Sequence, residues 1–186
     1  MSIERIVMHC SASGYGTALD IDNWHKANGW SRIGYNLVIT NGIPSHECYK
    51  LKLRYAWGNG QVEWGRSFND NNIIEPHERG AHTLGLNSRS LGICMIGGRS
   101  RTGKMNDFTP EQFHTARHVL LSLTKMLDIP FKNVIGHREF DSGKECPCFN
   151  MDYFREFLVK PQKIVKLIDH GEERIWANHE KYKKQQ

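Results

Sequence analysis

Apolar residues in this chain come in short bursts separated by Gly, Asn, Asp and Pro, a rhythm that predicts strands interleaved with helices. Ile6, Val7 and Met8, leading into His9, form an apolar run of strand length close to the N-terminus. DIDNWHKANGW predicts a short helix, with Asp20 near its N-cap and Gly29 supplying a left-handed stop. GYNLVITNG predicts a second strand ending in a turn. In YKLKLRYAW, Leu51, Leu53, Tyr55 and Trp57 alternate with polar residues at the period of a half-buried strand, and Gly58-Asn59-Gly60 turns the chain into QVEWGR. LGICMIGG is apolar on both faces and predicts a central strand. The clearest helix opens at TPEQF: Thr109 is the N-cap, Pro110 takes the first helical position and Gln112 closes a capping box. Phe113, Ala116, Val119, Leu120, Leu123 and Leu127 then recur at helical spacing. KNVIGH predicts another short strand, and Asn150 is expected to cap a helix through Leu158. These elements predict an α/β fold: a single domain with a central mixed, twisted β-sheet flanked by α-helices.

Composition narrows the class. A chain of 186 residues, 39% hydrophobic and 24% charged, suits one globular domain, taken as residues 1–159, followed by a basic extension over 160–186. The longest apolar runs are of strand length, well under the roughly 18 residues of a membrane span. MSIERIVMHC passes directly into a strand-like run, so no export signal is expected. Five cysteines at irregular spacing argue against a disulfide framework and for a reducing compartment, with thiols available for metal or catalysis. The net charge of +5 suggests an acidic partner, and nucleic acid, anionic lipid and bacterial wall polymer all qualify. No nucleic-acid-binding motif accompanies that charge, so no nucleic-acid partner is expected.

His9, His137 and Cys146 are distant in sequence, but both histidines stand at the ends of predicted strands, where loops gather to build sites. Two imidazoles and a thiolate form a zinc-binding set, and three protein ligands leave the fourth tetrahedral position open. VIGHREFDSGKECPCFN offers two sulfurs, Cys146 and Cys148; both together with two histidines would close such a site. Cys10 follows His9 on one strand and so points to the opposite face, into the core, where Cys94 is also expected.

IVMHCSAS, WHKANGW, IGYNLVI, GAHTLGLNSRSLGICMIGG and GHREFDSGKECPCF, in this order and spacing, resemble the phage lysozyme-type N-acetylmuramoyl-L-alanine amidases and the related animal peptidoglycan recognition proteins over residues 4–158. The resemblance implies zinc (Zn2+) held by His9, His137 and Cys146, with Cys148 standing where a small residue is usual. It implies that Tyr35 and Lys144 fill the remaining catalytic positions; a phenol and an ammonium can donate hydrogen bonds to the oxyanion that develops in amide hydrolysis. Glu139 is a candidate proton carrier, or an ion-pairing partner that orients the site. GAHTLGLNSRS lines the substrate groove in the resembling proteins, so His82 and Asn87 are expected to contact the muramyl peptide, and Arg138 a stem-peptide carboxylate. The function so implied is a zinc-dependent peptidoglycan hydrolase of the phage endolysin type. It would be a monomer, made in the host cytoplasm and acting on bacterial peptidoglycan after release. The alternative is a recognition module that binds muramyl peptide without cleaving it; such members commonly lack the zinc cysteine. Two features depart from the family pattern. Asn41 to Trp57 extend a hairpin that normally turns tightly, and the lysine-rich 160–186 extension reads as a solvated helix or as a weak contact with an anionic envelope.

Overall fold

The computed structural model describes residues 2–99, 105–106 and 108–160. Its strands are β1 (Arg5–Cys10), β2 (Leu37–Asn41), β3 (Asn59–Trp64), β4 (Ser90–Met95), β5 (Gly98–Arg99), β6 (Met105–Asn106) and β7 (Val134–Gly136). The helices are α1 (Ala18–Ala27), α2 (His46–Lys50), α3 (Pro110–Met126), the single turn α4 (His137–Phe140) and α5 (Met151–Val159). The main sheet has the order β3-β2-β4-β1-β7. β2, β4, β1 and β7 run parallel, and β3 closes one edge antiparallel to β2, so the sheet is mixed, as expected. All four parallel strands therefore end at the same edge, and the loops that leave them meet there.

The period of two along each strand divides the side chains between two cores. Ile6, Met8 and Cys10 of β1, with Leu91, Ile93 and Met95 of β4, face α3 and α5 and pack around Phe113, Phe149 and Phe154. Those rings meet at steep angles, Phe113 to Phe149 at 5.3 Å and Phe149 to Phe154 at 5.2 Å, the geometry their quadrupoles favour. On the other face Val38, Cys94 and Ile96 pack under Ala18 and Ile21 of α1. His9 lies in register with Cys94, and Cys94 with Val38, which places His9 on the α1 face and Cys10 on the α3 face.

Capping chemistry sets the helix starts. Thr109 and Gln112 form the expected reciprocal box, and Gln112 Nε2 also donates to the carbonyls of Ile39 and Ile96 at 2.9 Å each, tying α3 to the ends of β2 and β4. In α1 the N-cap is Thr17; Asp20 is the third helical residue, and its carboxylate accepts from Thr17 N at 2.8 Å. Gly29 supplies the left-handed stop at φ +85°. Asn150 caps α5 by accepting from the amides of Asp152 and Tyr153.

YKLKLRYAW is not a strand. Both edges of β2 are already occupied, by β4 and by β3, which leaves this segment no place in the ladder. Ser45 instead caps α2 by accepting from Cys48 N at 3.2 Å, Lys52 turns left-handed at φ +56°, and Ala56–Gly58 form a short 3-10 turn. The alternating apolar residues stand in solvent, Leu51 at 62% and Trp57 at 74% exposure. Among the described residues no helix is long and apolar enough to cross a membrane. Residues 161–186, the greater part of the expected extension, lie outside the described residues.

Candidate metal centre and active site

β1 and β7 are neighbours, with Met8 paired to Gly136, so the next residue on each strand brings His9 beside His137. Their ring centroids are 4.7 Å apart. The chain then loops out and returns: Arg138 N donates to the Cys146 carbonyl at 2.8 Å, and Arg138 Nη2 donates to the Phe149 carbonyl at 2.6 Å, which straps the 141–150 loop across the end of β7. One ligand atom from each of His9, His137 and Cys146 falls within 4.8 Å of the other two. His9 Nδ1 and Cys146 Sγ are 3.6 Å apart. Zn–N of about 2.05 Å and Zn–S of about 2.3 Å at a tetrahedral angle would separate a nitrogen from a sulfur by about 3.6 Å, so the donor set fits zinc. The Cys10 amide donates to Cys146 Sγ at 3.1 Å, a contact that a thiolate accepts better than a thiol.

The second sulfur faces elsewhere. Cys148 is buried in the α3-side core with its Sγ 3.6 Å from Cys10 Sγ, so the donor set is two imidazoles and one thiol. Glu139 is committed to structure: it accepts from Gly136 N at 2.7 Å and takes a two-pronged pair from Arg155 at 2.9 and 2.8 Å. Burial would raise its pKa, but Arg155 and the Gly136 amide outweigh that and hold the carboxyl below its ordinary range. This is the ion-pairing place that the sequence offered as the alternative to a proton carrier.

Burial holds His9 well below the ordinary imidazole pKa, helped by the neighbouring His82 and His137. His137 is lowered too, by burial and then by the Lys144 ammonium, which places Lys144 beside the centre. Both imidazoles are thus neutral near pH 7, the form in which a ring nitrogen can bind metal. The Tyr35 ring lies 5.1 Å from the His9 ring. Burial, reinforced by the thiols of Cys94, Cys146 and Cys10, pushes its phenol well above 10, so it remains a hydrogen-bond donor at neutral pH.

His82 and Asn87, expected at the muramyl peptide, make contacts within the fold. His82 is 7% exposed and sits behind His9, its Nδ1 3.1 Å from His9 Nε2. Asn87 Oδ1 accepts from the amides of His82 and Thr83 at 2.9 and 2.8 Å, a loop-closing role. Arg138, expected at a stem-peptide carboxylate, has one nitrogen of its fork, Nη2, on the Phe149 carbonyl. The Cys10 amide and Arg155 were not foreseen. A backbone donor carries no sequence signal, and Arg155 finds Glu139 only once α5 has folded back.

An α/β domain with two neutral imidazoles and a thiol converging at the carboxyl edge of its sheet has the donor set of an open metal centre. The sequence matches the N-acetylmuramoyl-L-alanine amidase family over residues 1–149, and the chain belongs to that family. It is 29% identical over 152 residues to the endolysin of Enterobacteria phage T3, covering 80% of this chain and 82% of the relative. In three dimensions it is similar to the N-acetylmuramoyl-L-alanine amidase LysC from Clostridium intestinale URNW, with TM-score 0.61, 24% identity and coverage of 86% and 87% of the two chains. Drosophila peptidoglycan recognition protein SD shares the fold at TM-score 0.54 and 22% identity, over 79% of this chain and 76% of that one.

Proposed function

We propose that the protein is a zinc-dependent peptidoglycan amidase of the phage endolysin type, cleaving the amide between the lactyl group of N-acetylmuramic acid and the first L-alanine of the stem peptide. The observation that carries this reading is the convergence of one ring nitrogen each of His9 and His137 with Cys146 Sγ within 4.8 Å, with a neutral phenol beside them. Endolysin relatives and membership of the amidase family support the substrate class.

Zinc held there would supply Lewis-acid polarisation of the scissile carbonyl and an acidified water as nucleophile. The chain's own groups do the rest. His9 and His137, kept neutral by burial, and Cys146, with the Cys10 amide on its sulfur, hold the centre with one position open. Tyr35, whose hydroxyl meets the Cys94 thiol in this structure, would turn its phenolic proton toward the oxygen on which charge develops, a contribution worth about 2.7–4 kcal/mol for one such donor. Lys144, exposed and beside His137, brings a positive charge and mobile protons to the same side. With Glu139 bound to Arg155, Lys144 is the group best placed to reach the departing amine. The basic extension adds attraction to an anionic envelope, and the enzyme works on the wall as a monomer once released.

Mass spectrometry of sacculi digested by the purified protein tests the reading. Free stem peptides beginning with an unblocked L-alanine are expected, lost on chelation and restored by zinc. Reducing-end sugar fragments in their place would identify a glycosidase, and intact sacculi carrying bound protein would identify a recognition module.

A further inference from the structure

Behind His9 stands a second histidine that hydrolysis itself does not use. We propose that His82 is a positioning residue that accepts the Nε2–H of His9, fixing the ring and the tautomer in which Nδ1 is free for metal. The inference rests on the metal-dependent reading above.

A neutral imidazole carries one N–H and one lone pair, so a ring that ligates through Nδ1 must hold its proton on Nε2. The two nitrogens of His9 face different surroundings: Nδ1 looks toward Cys146 Sγ at 3.6 Å, and Nε2 toward His82 Nδ1 at 3.1 Å. His9 is only 1% exposed, so water does not serve as the acceptor. Thr83 Oγ1 completes the arrangement, 3.1 Å from His82 Nδ1 and 3.4 Å from His9 Nε2.

The loop is shaped around the His82 ring. A Cβ on Gly80 would fall 2.4 Å from His82 Cδ2, and one on Gly92 would fall 2.6 Å from Cδ2 and Cγ, so both flanking positions must be glycine for the ring to lie there. Gly92 pairs with Val7 in the β1–β4 ladder, two residues before His9 on the same face, which sets His82 against the sheet directly alongside the ligand. Asn87 fixes the backbone from the other side by accepting both the His82 and the Thr83 amides. His82 Nε2 is sealed from water and faces the Ser90 carbonyl, so the ring's own proton sits on Nε2 and Nδ1 is left as a lone pair. Metal-binding histidines commonly donate their second N–H to a carboxylate or a carbonyl. An imidazole in that place supplies the acceptor without a second buried negative charge, leaving the centre more electropositive.

Two substitutions separate the hydrogen bond from the packing. His82→Phe keeps a ring in the glycine cradle and removes the acceptor. His82→Asn loses ring volume but retains an oxygen close to the position of Nδ1. Zinc affinity measured by chelator competition, the ligand-field spectrum of the cobalt-substituted protein and the melting temperature would be recorded for both variants and for the wild type. His82→Phe is expected to bind zinc about 10–100-fold more weakly and to shift the cobalt spectrum while remaining folded. His82→Asn is expected to recover most of the affinity, even if it melts earlier. Wild-type zinc affinity in folded His82→Phe, or affinity that follows ring volume so that Asn is the weaker binder, overturns the proposal. A wild-type protein that binds no stoichiometric zinc overturns the metal reading itself, an outcome distinct from either variant result.

Discussion

Acidification should destabilise the metal-free protein through its buried histidines, and His82 allows the size to be worked out. Burial, partly offset by the Ser90 carbonyl, lowers its pKa from 6.5 to about 4. Unfolding exposes the ring and restores the higher value, so below the unfolded pKa the unfolded chain binds a proton that the folded chain refuses. The stabilisation is complete above the unfolded value and is lost as the pH falls from there toward the folded one. The whole gap of about 2.5 pH units corresponds to about 3.4 kcal/mol, of which about 2 kcal/mol is gone between about pH 7.5 and pH 5. His9, lowered in the same direction, adds to the loss. With a urea m-value of about 2 kcal/mol/M, the His82 share alone moves the midpoint by about 1 M. Urea unfolding of the chelated protein, followed by tryptophan fluorescence and circular dichroism at the two pH values, measures it. Phenylalanine at position 82 has no proton to gain, so His82→Phe should lose markedly less stability over the same interval. If wild type and His82→Phe lose stability in equal measure, His82 is not held neutral by burial and the reasoning fails.

Cys146→Ala should lose stoichiometric zinc and nearly all amidase activity, whereas Cys148→Ser, altered in the core beside Cys10, should keep both at a cost of about 1–3 kcal/mol in stability; metal analysis and calorimetry of the two variants side by side check this. Tyr35→Phe should lower kcat by about 10²–10³ with zinc content unchanged, so a near-native rate would remove the phenol from the mechanism. Glu139→Gln weakens a partly exposed ion pair with Arg155 and is expected to cost about 1 kcal/mol or less while leaving most of the activity; collapse of kcat in a folded, zinc-loaded variant would restore Glu139 as a proton carrier. Truncation after Lys160 should leave cleavage of a small soluble muramyl peptide intact and weaken sacculus binding most at low salt, and sedimentation with sacculi across a salt series would expose an inert extension.

Local rules made much of this fold legible. Thr109-Pro110 with Gln112, the left-handed Gly29 and the Asn150 cap are decided within a few residues, so propensity and capping chemistry suffice. The opposed faces of His9 and Cys10 follow from strand geometry alone. YKLKLRYAW shows where such rules stop. Period two makes a strand possible, but a strand also needs a free edge, and whether β2 has one depends on β3 and β4 arriving from elsewhere in the chain. The three metal donors could be selected because each sits in a motif. The place of His82 depends on register: the pairing of Gly92 with Val7 puts its ring beside His9. Spacing along the chain carries no trace of that.

A common electrostatic logic runs through the groups around the centre. In the proposed zinc site, two neutral imidazoles and one thiolate facing a dication would leave a net charge near +1. His9 meets an uncharged imidazole, Cys146 meets a backbone amide, and the Glu139 carboxylate is paired with Arg155, while the Asp141 carboxylate bears on His137. Lys144 adds a further positive charge beside His137. If zinc is held there as proposed, the uncharged imidazole behind His9 would preserve the Lewis acidity needed to polarise an amide carbonyl, where a carboxylate would moderate it. Such a centre holds its cation less firmly than one backed by carboxylates, because fewer negative charges offset the dication. The glycine cradle around His82, the Asn87 clamp on its backbone and the Arg138 strap across the 141–150 loop tie down the surroundings of the three candidate donors. In the proposed site preorganisation would take the place of charge in securing the ion, so the residues surrounding the candidate ligands would matter to the reaction as much as the ligands themselves.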